Sequence, residues 1–336
     1  MLNKIKQTKV YLRYRNFKKN ISEFIKFALN CTEFKEQWIH NSRYLTNLKY
    51  EIYDEIKNNK VQLEMPKIMT IEDTLNEIIN NKKSICRYGD GEFALLTGVN
   101  FNSKAYFNMQ QNSELISRLR KILTTNNKNI IVCLADIFGS LSEYNENVQK
   151  IARQHIINFR KPLQQYLNFN KHYGNANITR FHTGYSNFSI SEKYFSKWKN
   201  IWNDKDICII EGEGTQLGVG NDLFINARHI ERIICPAENS FAKYNKILEE
   251  AKKQSKDKLI LIALGMTATV LAYDLTELGY WAIDIGHLDL EYEAFIHKSD
   301  KLIPIAGKYA NDLGIQNYTI SKNKEYLQQI TTKIKG

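Results

Sequence analysis

Proline is scarce in this chain, and the cysteines form no pair at metal-binding or redox spacing. There are 4 prolines and 5 cysteines among 336 residues, and no Cys-x-x-Cys pair occurs. Cys133, Cys208 and Cys235 lie inside apolar runs, where a free thiol packs like a small hydrophobic side chain. We therefore expect neither a disulfide framework nor a zinc site, and a reducing, cytoplasmic location.

Long apolar runs are also missing. The longest extends from Leu259 to Met266, well short of the roughly 18 residues that a membrane-spanning helix needs. The N-terminus carries charge but lacks the apolar segment of a signal peptide. The sequence thus predicts neither a membrane span nor a leader.

Positive charge is what the chain has in excess, with a formal net charge of +11. Such a balance favours anionic partners, namely nucleotides, nucleic acid or lipid surfaces. A coding bias toward lysine, asparagine and isoleucine explains much of the excess equally well. Hydrophobic residues make up 43% of the chain, which is enough for a folded core.

The first twenty residues concentrate this charge, with aromatic and apolar residues between the basic ones and no acidic residue. Three interpretations stay open: a helix on the anionic inner face of the membrane, a solvated helical arm, or a homo-oligomer contact. We assign residues 1–65 to a basic helical extension and 66–336 to one α/β domain. The basic positions are Lys4, Lys6, Lys9, Arg13, Arg15, Lys18 and Lys19.

Apolar runs alternate with helical patterns through the rest of the chain. This rhythm predicts an α/β fold with a mostly parallel sheet and helices on both faces. Predicted strands cover 84–88, 130–135, 207–210, 232–235, 259–264 and 281–285. Predicted helices cover 71–81, 113–123, 221–229, 244–253 and 269–278. Ligands of such sheets bind beyond the carboxyl ends of the strands.

Two carboxylates follow the first of these strands, in the triplet Asp90-Gly91-Glu92. In a tight loop they can point at one cation, and such hard oxygen ligands suit Mg²⁺ or Mn²⁺, which leave positions open for phosphate oxygens. Gly89 and Gly91 permit unusual backbone angles and close approach of a ligand. Arg87 can pair with a phosphate or with Glu92. A polar surface turn is the alternative interpretation.

A glycine-rich segment covers residues 211–222, between a predicted strand and a predicted helix. Such segments let backbone N–H groups reach phosphate or ribose. It matches neither the P-loop nor the G-x-G-x-x-G spacing, so neither an ATPase nor a dehydrogenase is supported. A long connection with a helix cap at Asn221 or Asp222 is the alternative. The side chains that we assign to ligand binding are Glu211, Glu213, Thr215, Asn221 and Asp222.

A second strand-to-helix turn contains Gly265, Thr267 and Thr269. Hydroxyl groups at a helix start can hold a phosphate or a ribose, and they can equally serve only to cap the helix.

Beyond the last clear strand, at 284–293, His287 stands among several carboxylates. It could bind a metal or a diphosphate, or orient a base, and Asp289 or Glu293 could deprotonate an acceptor hydroxyl. A purely structural histidine is the alternative. Weaker candidates near other strand ends are Asp136, the run 180–182 (Arg-Phe-His) and the segment 236–240.

In this order, the segments resemble the GT-D-type bacterial glycosyltransferases, a family formerly described as a domain of unknown function. The resemblance covers about residues 70–310 and leaves 1–65 outside. It is carried by RYGDGEF at 87–93, EGEGTQLGVGNDLF at 211–224, RIICPAENSF at 232–241 and LGMTATVLAYDLTELGYWAIDIGHLDLEYE at 264–293.

The resemblance implies a Rossmann-like fold, a UDP-sugar donor, a Mn²⁺ or Mg²⁺ cofactor and work on cell-surface glycans or glycosylated adhesins. It assigns Asp90 and Glu92 to metal and donor binding and places His287 in the same site. Gly214 and Gln216 stand where the family commonly has basic residues, which removes two phosphate contacts. Met266 replaces a common proline.

We therefore expect a metal-dependent glycosyltransferase that moves a hexose from a UDP-sugar to a glycan or glycoprotein acceptor. The metal would neutralise the charge that grows on the leaving UDP. A phosphohydrolase acting on nucleotides or nucleotide-sugars would use the same carboxylates to activate water. A nucleic-acid-binding protein is the third possibility, suggested by charge, 19 tyrosines and 16 phenylalanines. Because no signature of such modules appears, we expect no nucleic-acid partner.

Overall fold

The computed structural model describes residues 65–99, 112–135 and 141–336. The predicted extension at 1–65 lies outside these ranges except for its last residue, and Asp136 lies outside them too. The predictions made for both stay predictions.

Nine strands of the described chain form one sheet, in which every pairing is parallel. They are β1 (Lys67–Ile68), β2 (Ser84–Tyr88), β3 (Ile130–Leu134), β4 (His172–Asn175), β5 (Asp206–Gly212), β6 (His229–Cys235), β7 (Leu259–Ala263), β8 (Trp281–Asp284) and β9 (Ile330–Lys333). Their order across the sheet is β1-β4-β3-β2-β8-β7-β5-β6-β9. The two halves meet where β2 pairs with β8, at Ile85 and Ile283. The predicted parallel α/β fold is confirmed.

Helices connect these strands. They are α1 (Ile71–Asn81), α2 (Asp90–Thr97), α3 (Ser113–Leu123), α4 (Glu146–Leu163), α5 (Ser191–Trp202), α6 (Tyr244–Lys252), α7 (Met266–Glu277), α8 (Leu288–Ile296) and α9 (Lys324–Gln329). Polar side chains cap the starts of α1, α3, α4 and α9. In α1, for example, the Thr70 side chain accepts the Asp73 N–H at 3.0 Å. Leu75 and Ile78 then bury one face of that helix.

Apolar side chains cover both faces of the sheet. Ile85, Ile209 and Leu261 belong to one continuous core cluster that includes Trp198 of α5. Successive strand residues point to opposite faces, so the residues between them are buried on the other side, where α7 packs on β2 and β8. Burial on both faces is what parallel sheets require.

The predicted strands and most of the predicted helices are confirmed to within three residues. The helix predicted over 221–229 is wrong, because residues 221–228 form turns and bends and His229 begins β6. Leu223 and Phe224 are buried, whereas Ile225 is 76% exposed, so the apolar run does not form a helical stripe. The Trp202 indole N–H also bonds to the Leu223 carbonyl at 3.1 Å.

Within the described ranges, we find no helix with the length and apolarity needed to cross a membrane. Four cysteines, Cys86, Cys133, Cys208 and Cys235, are buried as free thiols. Their burial agrees with the apolar runs that contain three of them.

Candidate functional site

The carboxyl ends of four adjacent strands bring the predicted motifs to one edge of the sheet. β2 ends before Asp90, β8 before His287, β7 before Gly265, and β5 leads into the glycine-rich segment. The chain leaves β2 toward β3 on one side and reaches β8 from β7 on the other. The boundary between β2 and β8 is therefore a topological switch point, where open α/β sheets bind ligands.

Arg87, at the end of β2, holds this boundary together. Its Nη2 lies 2.8 Å from Asp284 Oδ1, and its Nε donates to the Asp284 carbonyl at 3.0 Å. Its Nη1 donates to Thr179 Oγ1 at 2.8 Å, and its own carbonyl accepts the Thr269 hydroxyl at 2.9 Å. The guanidinium is thus committed to protein partners. Among the contacts of the described residues, Arg87 forms no ion pair with Glu92, which was the alternative that the sequence allowed.

The Asp90-Gly91-Glu92 triplet forms the first turn of α2 and not the tight loop that we predicted. Gly89 is the residue that caps the helix, and its N–H donates to Glu92 Oε2 at 2.9 Å. Negative side chains are favourable at a helix N-terminus, because they interact with the positive end of the helix dipole. The two acids at the start of α2 can therefore be explained by the helix as well as by a bound ligand. Asp90 is half-buried, and its carboxylate lies within electrostatic range of Arg180 and His287.

Glu92 is only 9% exposed. Burial raises the pKa of Glu92 to about 7, because loss of water outweighs the hydrogen bond from Gly89. Arg87 lies near enough to oppose this rise but is already bound to Asp284. Half of such carboxyl groups are protonated near neutral pH, and a bound cation would favour the ionised form.

His287 meets two groups that the sequence did not connect with it. Its Nε2 lies 3.4 Å from Asp312 Oδ1, and Arg180 pairs with the other carboxylate oxygen of Asp312. Burial lowers the pKa of His287 to about 4, so the imidazole is neutral at pH 7. Burial alone would raise the pKa of Asp312, yet the facing His287 and Arg180 lower it to about 2.

The turn after β7 contains a buried hydroxyl without a partner. Thr267 is 0% exposed, and its Oγ1 has no hydrogen-bond partner among the described residues. It lies in the first turn of α7, whose preceding residue Gly265 has φ +54° and open space beside its Cα. Thr269 instead bonds to the Arg87 carbonyl and so holds α7 against the end of β2.

Glu211, predicted to bind a ligand, has both carboxylate oxygens engaged inside the protein. Oε1 lies 2.7 Å from Arg232 Nη1, and Oε2 accepts the Leu217 N–H at 2.7 Å. Arg232 also donates to the Leu217 carbonyl at 2.9 Å. These contacts fold the glycine-rich segment back over β5. Its neighbours Glu213 and Thr215 remain exposed and half-buried, respectively.

Asp289 and Glu293, predicted as candidate bases, lie one turn apart on α8 and share a buried polar cluster. Asn221 Nδ2 donates to Asp289 Oδ1 at 2.8 Å and to Glu293 Oε1 at 2.7 Å. Lys308, which is 3% exposed, lies 2.7 Å from Asp289 Oδ2. The Gly218 N–H donates to Asp289 Oδ1 at 2.9 Å. The cluster joins α8 to the glycine-rich segment.

Residues 305–319, which we call the strap, cross over this segment. Gln216 Nε2 donates to the carbonyls of Gly307 and Thr319, both at 3.0 Å. The Tyr318 ring lies against Gly214, where a Cβ would come within 2.3 Å of it. Gly214 and Gln216, two of the three positions that depart from the family pattern, thus support the strap.

The remaining candidates are occupied by structural contacts. Asp222 is exposed and pairs with Lys199 at 2.8 Å. The His182 ring nitrogens lie 2.9 Å from Ser191 Oγ and 3.0 Å from the Ser299 carbonyl. Within 236–240, the Ser240 hydroxyl bonds to the Pro236 carbonyl at 2.8 Å.

Sequence reasoning missed Lys308, Asp312 and the link from Arg180 to His287. Lys308 and Asp312 lie in irregular chain, where no periodic pattern marks a buried or paired side chain. The one available signal was the pair of glycines at 307 and 314, which flank this stretch and both have positive φ.

The described residues contain no group of three or more His, Cys, Asp or Glu side chains arranged to hold a metal. A cation at Asp90 and Glu92 would take its other ligands from elsewhere, as Mg²⁺ does when waters and phosphate oxygens complete its shell. Two hard carboxylates fit such a cation. The raised pKa of Glu92 fits it too, since a cation would offset the cost of ionising that buried group.

Comparison with known proteins gives consistent matches. The family model of the glycosyltransferase GT-D fold matches residues 85–313. A solved structure described as domain of unknown function 1792, with a distinct glycosyltransferase fold, is 36% identical with a TM-score of 0.74. That similarity covers 82% of this chain and 98% of the other. A glycosyltransferase structure from Streptococcus sanguinis is 33% identical with a TM-score of 0.74, covering 80% and 100%.

Two curated proteins are also similar. The probable glycosyl transferase Gly of Streptococcus gordonii is 34% identical over 271 residues, which are 80% of this chain and 39% of that protein. Glycosyltransferase GlyD of Streptococcus pneumoniae serotype 4 is 29% identical over 303 residues, which are 88% and 36%. The chain thus spans less than two fifths of the length of either relative.

Proposed function

This chain belongs to the GT-D family of glycosyltransferases, and on that premise we propose that it transfers a hexose from a UDP-sugar to a cell-surface glycan or glycoprotein. The proposal extends the family assignment to a donor, an acceptor class and a divalent metal. Side chains at the carboxyl ends of the strands support the metal and the diphosphate of the donor, whereas the hexose and the acceptor class rest on the family resemblance.

The observation that carries the proposal is the Thr267 hydroxyl, buried and without a partner at the start of α7. A buried hydroxyl without a hydrogen bond costs about 1–3 kcal/mol, and a ligand oxygen or N–H would remove that cost. The N-terminus of a helix favours phosphate, because its free N–H groups and the helix dipole both attract negative charge. Thr269 holds this helix start against the end of β2, next to the acidic triplet.

Asp90 and Glu92 would hold Mn²⁺ or Mg²⁺, which supplies charge neutralisation for the diphosphate that leaves. Asp90 is the more accessible of the two. Glu92 also fixes the α2 N-terminus through Gly89. In this arrangement the triplet and the α7 turn would approach the diphosphate from the ends of β2 and β7, the two strands on either side of β8.

Neutral His287 would act near the transferred sugar, as a hydrogen-bonding group or as a proton acceptor. Asp289 and Glu293 would keep the glycine-rich segment in place through Asn221 and Lys308. Their engagement in that buried cluster makes this role a better fit than removal of a proton from the acceptor.

Calorimetric titration with UDP and a panel of UDP-sugars tests the proposal. We expect binding with Mn²⁺, loss of binding with EDTA, and loss in Asp90→Asn, because the carboxylate oxygens supply the metal ligands. Asp257→Asn is the matched control, since this exposed aspartate precedes β7 at the opposite edge of the sheet. Full binding of UDP-sugars in EDTA would contradict the metal role.

Release of UDP separates a transferase from a phosphohydrolase. A transferase should release UDP rapidly only when an acceptor is added. Equal rates with and without acceptor, and cleavage inside the diphosphate, would favour the hydrolase instead.

A further inference from the structure

Asp312 lies at the tip of the strap, and local contacts define the conformation of that tip. Residues Asn311–Leu313 form a single helical turn that ends at Gly314 with φ +68°. On either side of the turn, Ala310 and Ile315 exchange two backbone hydrogen bonds of 3.0 Å. The tip is thus a closed loop that presents one carboxylate.

The base of the strap is anchored separately. Gln216 bonds to the carbonyls of Gly307 and Thr319, and Lys308 is inserted between Asp289 and Glu293. Both anchors lie in or beside the glycine-rich segment. The position of the tip is therefore set by residues that are not at the tip.

This tip places Asp312 between two groups of the candidate site. One carboxylate oxygen lies 3.4 Å from His287 Nε2, and the other pairs with Arg180. The Asp312 side chain is 22% exposed, against 34% for His287. Arg180, Arg87 and Asp90 also act electrostatically on the imidazole.

A neutral imidazole has one N–H and one free lone pair, on different nitrogens. A carboxylate accepts only, so Asp312 favours the proton on Nε2 and leaves Nδ1 as the acceptor. Carboxylates that hold histidines in this way fix both the orientation and the tautomer of the ring. Arg180 keeps Asp312 ionised and restricts its movement.

We propose that Asp312 is a positioning residue, which holds His287 with its Nε2–H toward the strap and its Nδ1 free for the reaction. The effect on turnover rests on the proposed function. The assignment of the imidazole proton to Nε2 in the resting protein does not depend on that function.

Nitrogen-15 NMR of histidine-labelled full-length protein in EDTA tests the resting state, with His287→Gln used only to assign the signal. We expect a His287 Nε2–H resonance that is protected from exchange with water, and its loss in Asp312→Ala. Asp257→Ala should keep it. A His287 signal protonated on Nδ1, or a protected Nε2–H that persists in Asp312→Ala, would overturn the proposal.

Turnover provides the second readout. In Asp312→Ala we expect kcat to fall about tenfold or more, in line with loss of a carboxylate partner behind a functional histidine. The KM for the donor should stay within about twofold. Because the tip is partly exposed, formate should restore part of kcat, whereas chloride at equal ionic strength should not.

An unchanged kcat, or equal effects of formate and chloride, would count against the positioning role. If the unaltered protein transfers no sugar at all, the proposed function fails, while the NMR comparison still decides the role of Asp312.

Discussion

At the scale of single residues, Gly286 shows how closely the site is packed. It has φ +50°, and a Cβ there would lie 1.8 Å from Arg87 Nη2. That nitrogen cannot swing away freely, because it pairs with Asp284, which is 3% exposed. A side chain at 286 therefore separates a buried ion pair.

We expect Gly286→Ala to lower the free energy of unfolding by about 3 kcal/mol or more, since it leaves a buried carboxylate unpaired. Gly98→Ala is the control. Gly98 also has positive φ, at +69°, but nothing lies within 4 Å of the position that its added methyl group would take. In Gly98→Ala we therefore expect a loss of only about 1–2 kcal/mol, the cost of placing alanine in the left-handed backbone region. Urea unfolding measures both, and equal losses would argue against the clash with Arg87.

Glu92 makes stability depend on pH. Its folded pKa of about 7 lies above its ordinary value of 4.5, so its favourable contribution is present below about pH 4.5 and is lost as the pH rises through 7. Relative to the unaltered protein, Glu92→Gln should therefore gain on the order of 3 kcal/mol between pH 4.5 and pH 8. Unfolding in EDTA measures this difference.

Glu72 provides the opposite case for the same measurement. Hydrogen bonds from Lys193 and Lys197 lower its pKa, so its contribution is present above pH 4.5 and is lost as the pH falls. Glu72→Gln should therefore lose stability relative to the unaltered protein as the pH rises. Parallel pH profiles for the two variants would refute both assignments.

At the scale of elements, a buried ion pair joins β5 to β6. Glu211 and Arg232 are 0% and 2% exposed, and Arg232 also reaches Gln329 at the end of α9. The pair therefore connects two strands, a helix and the glycine-rich segment.

Breaking one side of this pair should be costly. We expect Arg232→Met to lower the free energy of unfolding by about 3–5 kcal/mol, because Glu211 would stay buried without its partner. The double variant Arg232→Met, Glu211→Gln should lose less than Arg232→Met alone. Arg228→Met, which breaks an exposed pair with Asp206, should change stability by less than about 1 kcal/mol. A double variant as unstable as the sum of its singles would exclude the coupling.

Local pattern was enough to predict the six central strands, because buried parallel strands are continuous apolar runs and the turns between them are polar. It missed β1, β4 and β9 at the two sides of the sheet, which are only two to four residues long. It failed at 221–229, where Phe224 packs on Trp202 from a distant helix and no local signal announces that contact. The local pattern also placed Asp90 in a loop. In the structure α2 begins at Asp90, directly after β2, so no separate polar connection lies between the strand and the helix. Whether the predicted residues bind donor and metal stays a prediction.

The strap could not be predicted for a related reason. Its contacts join Gln216 to residues about 90 to 100 positions later, and Lys308 to α8. Each contact gives a hydrogen-bond or ion-pair partner to a polar side chain that no sequence pattern marks as buried. Irregular chain of this kind has no period from which burial can be inferred.

At the scale of the whole molecule, charge is unevenly distributed along the chain. Seven basic residues lie among the first twenty, against a formal total of +11. We expect deletion of residues 1–20 to weaken binding to vesicles that contain anionic lipid, by about 1 kcal/mol for each basic residue near the surface. Vesicle sedimentation measures this, with neutral vesicles as the control. Unchanged binding would leave the solvated arm or the oligomer contact as the interpretation.

The pairing of β2 with β8 also sets the order in which the sheet can assemble. Ile85 and Ile283 are separated by about 200 residues. During synthesis, one edge of β2 therefore stays open until β8 has emerged, while β3 and β4 can already cover the other. Pairings between such distant segments form slowly, and open strand edges invite contacts with other chains. We therefore expect the middle of this sheet, and with it the candidate site at its carboxyl ends, to close late in folding.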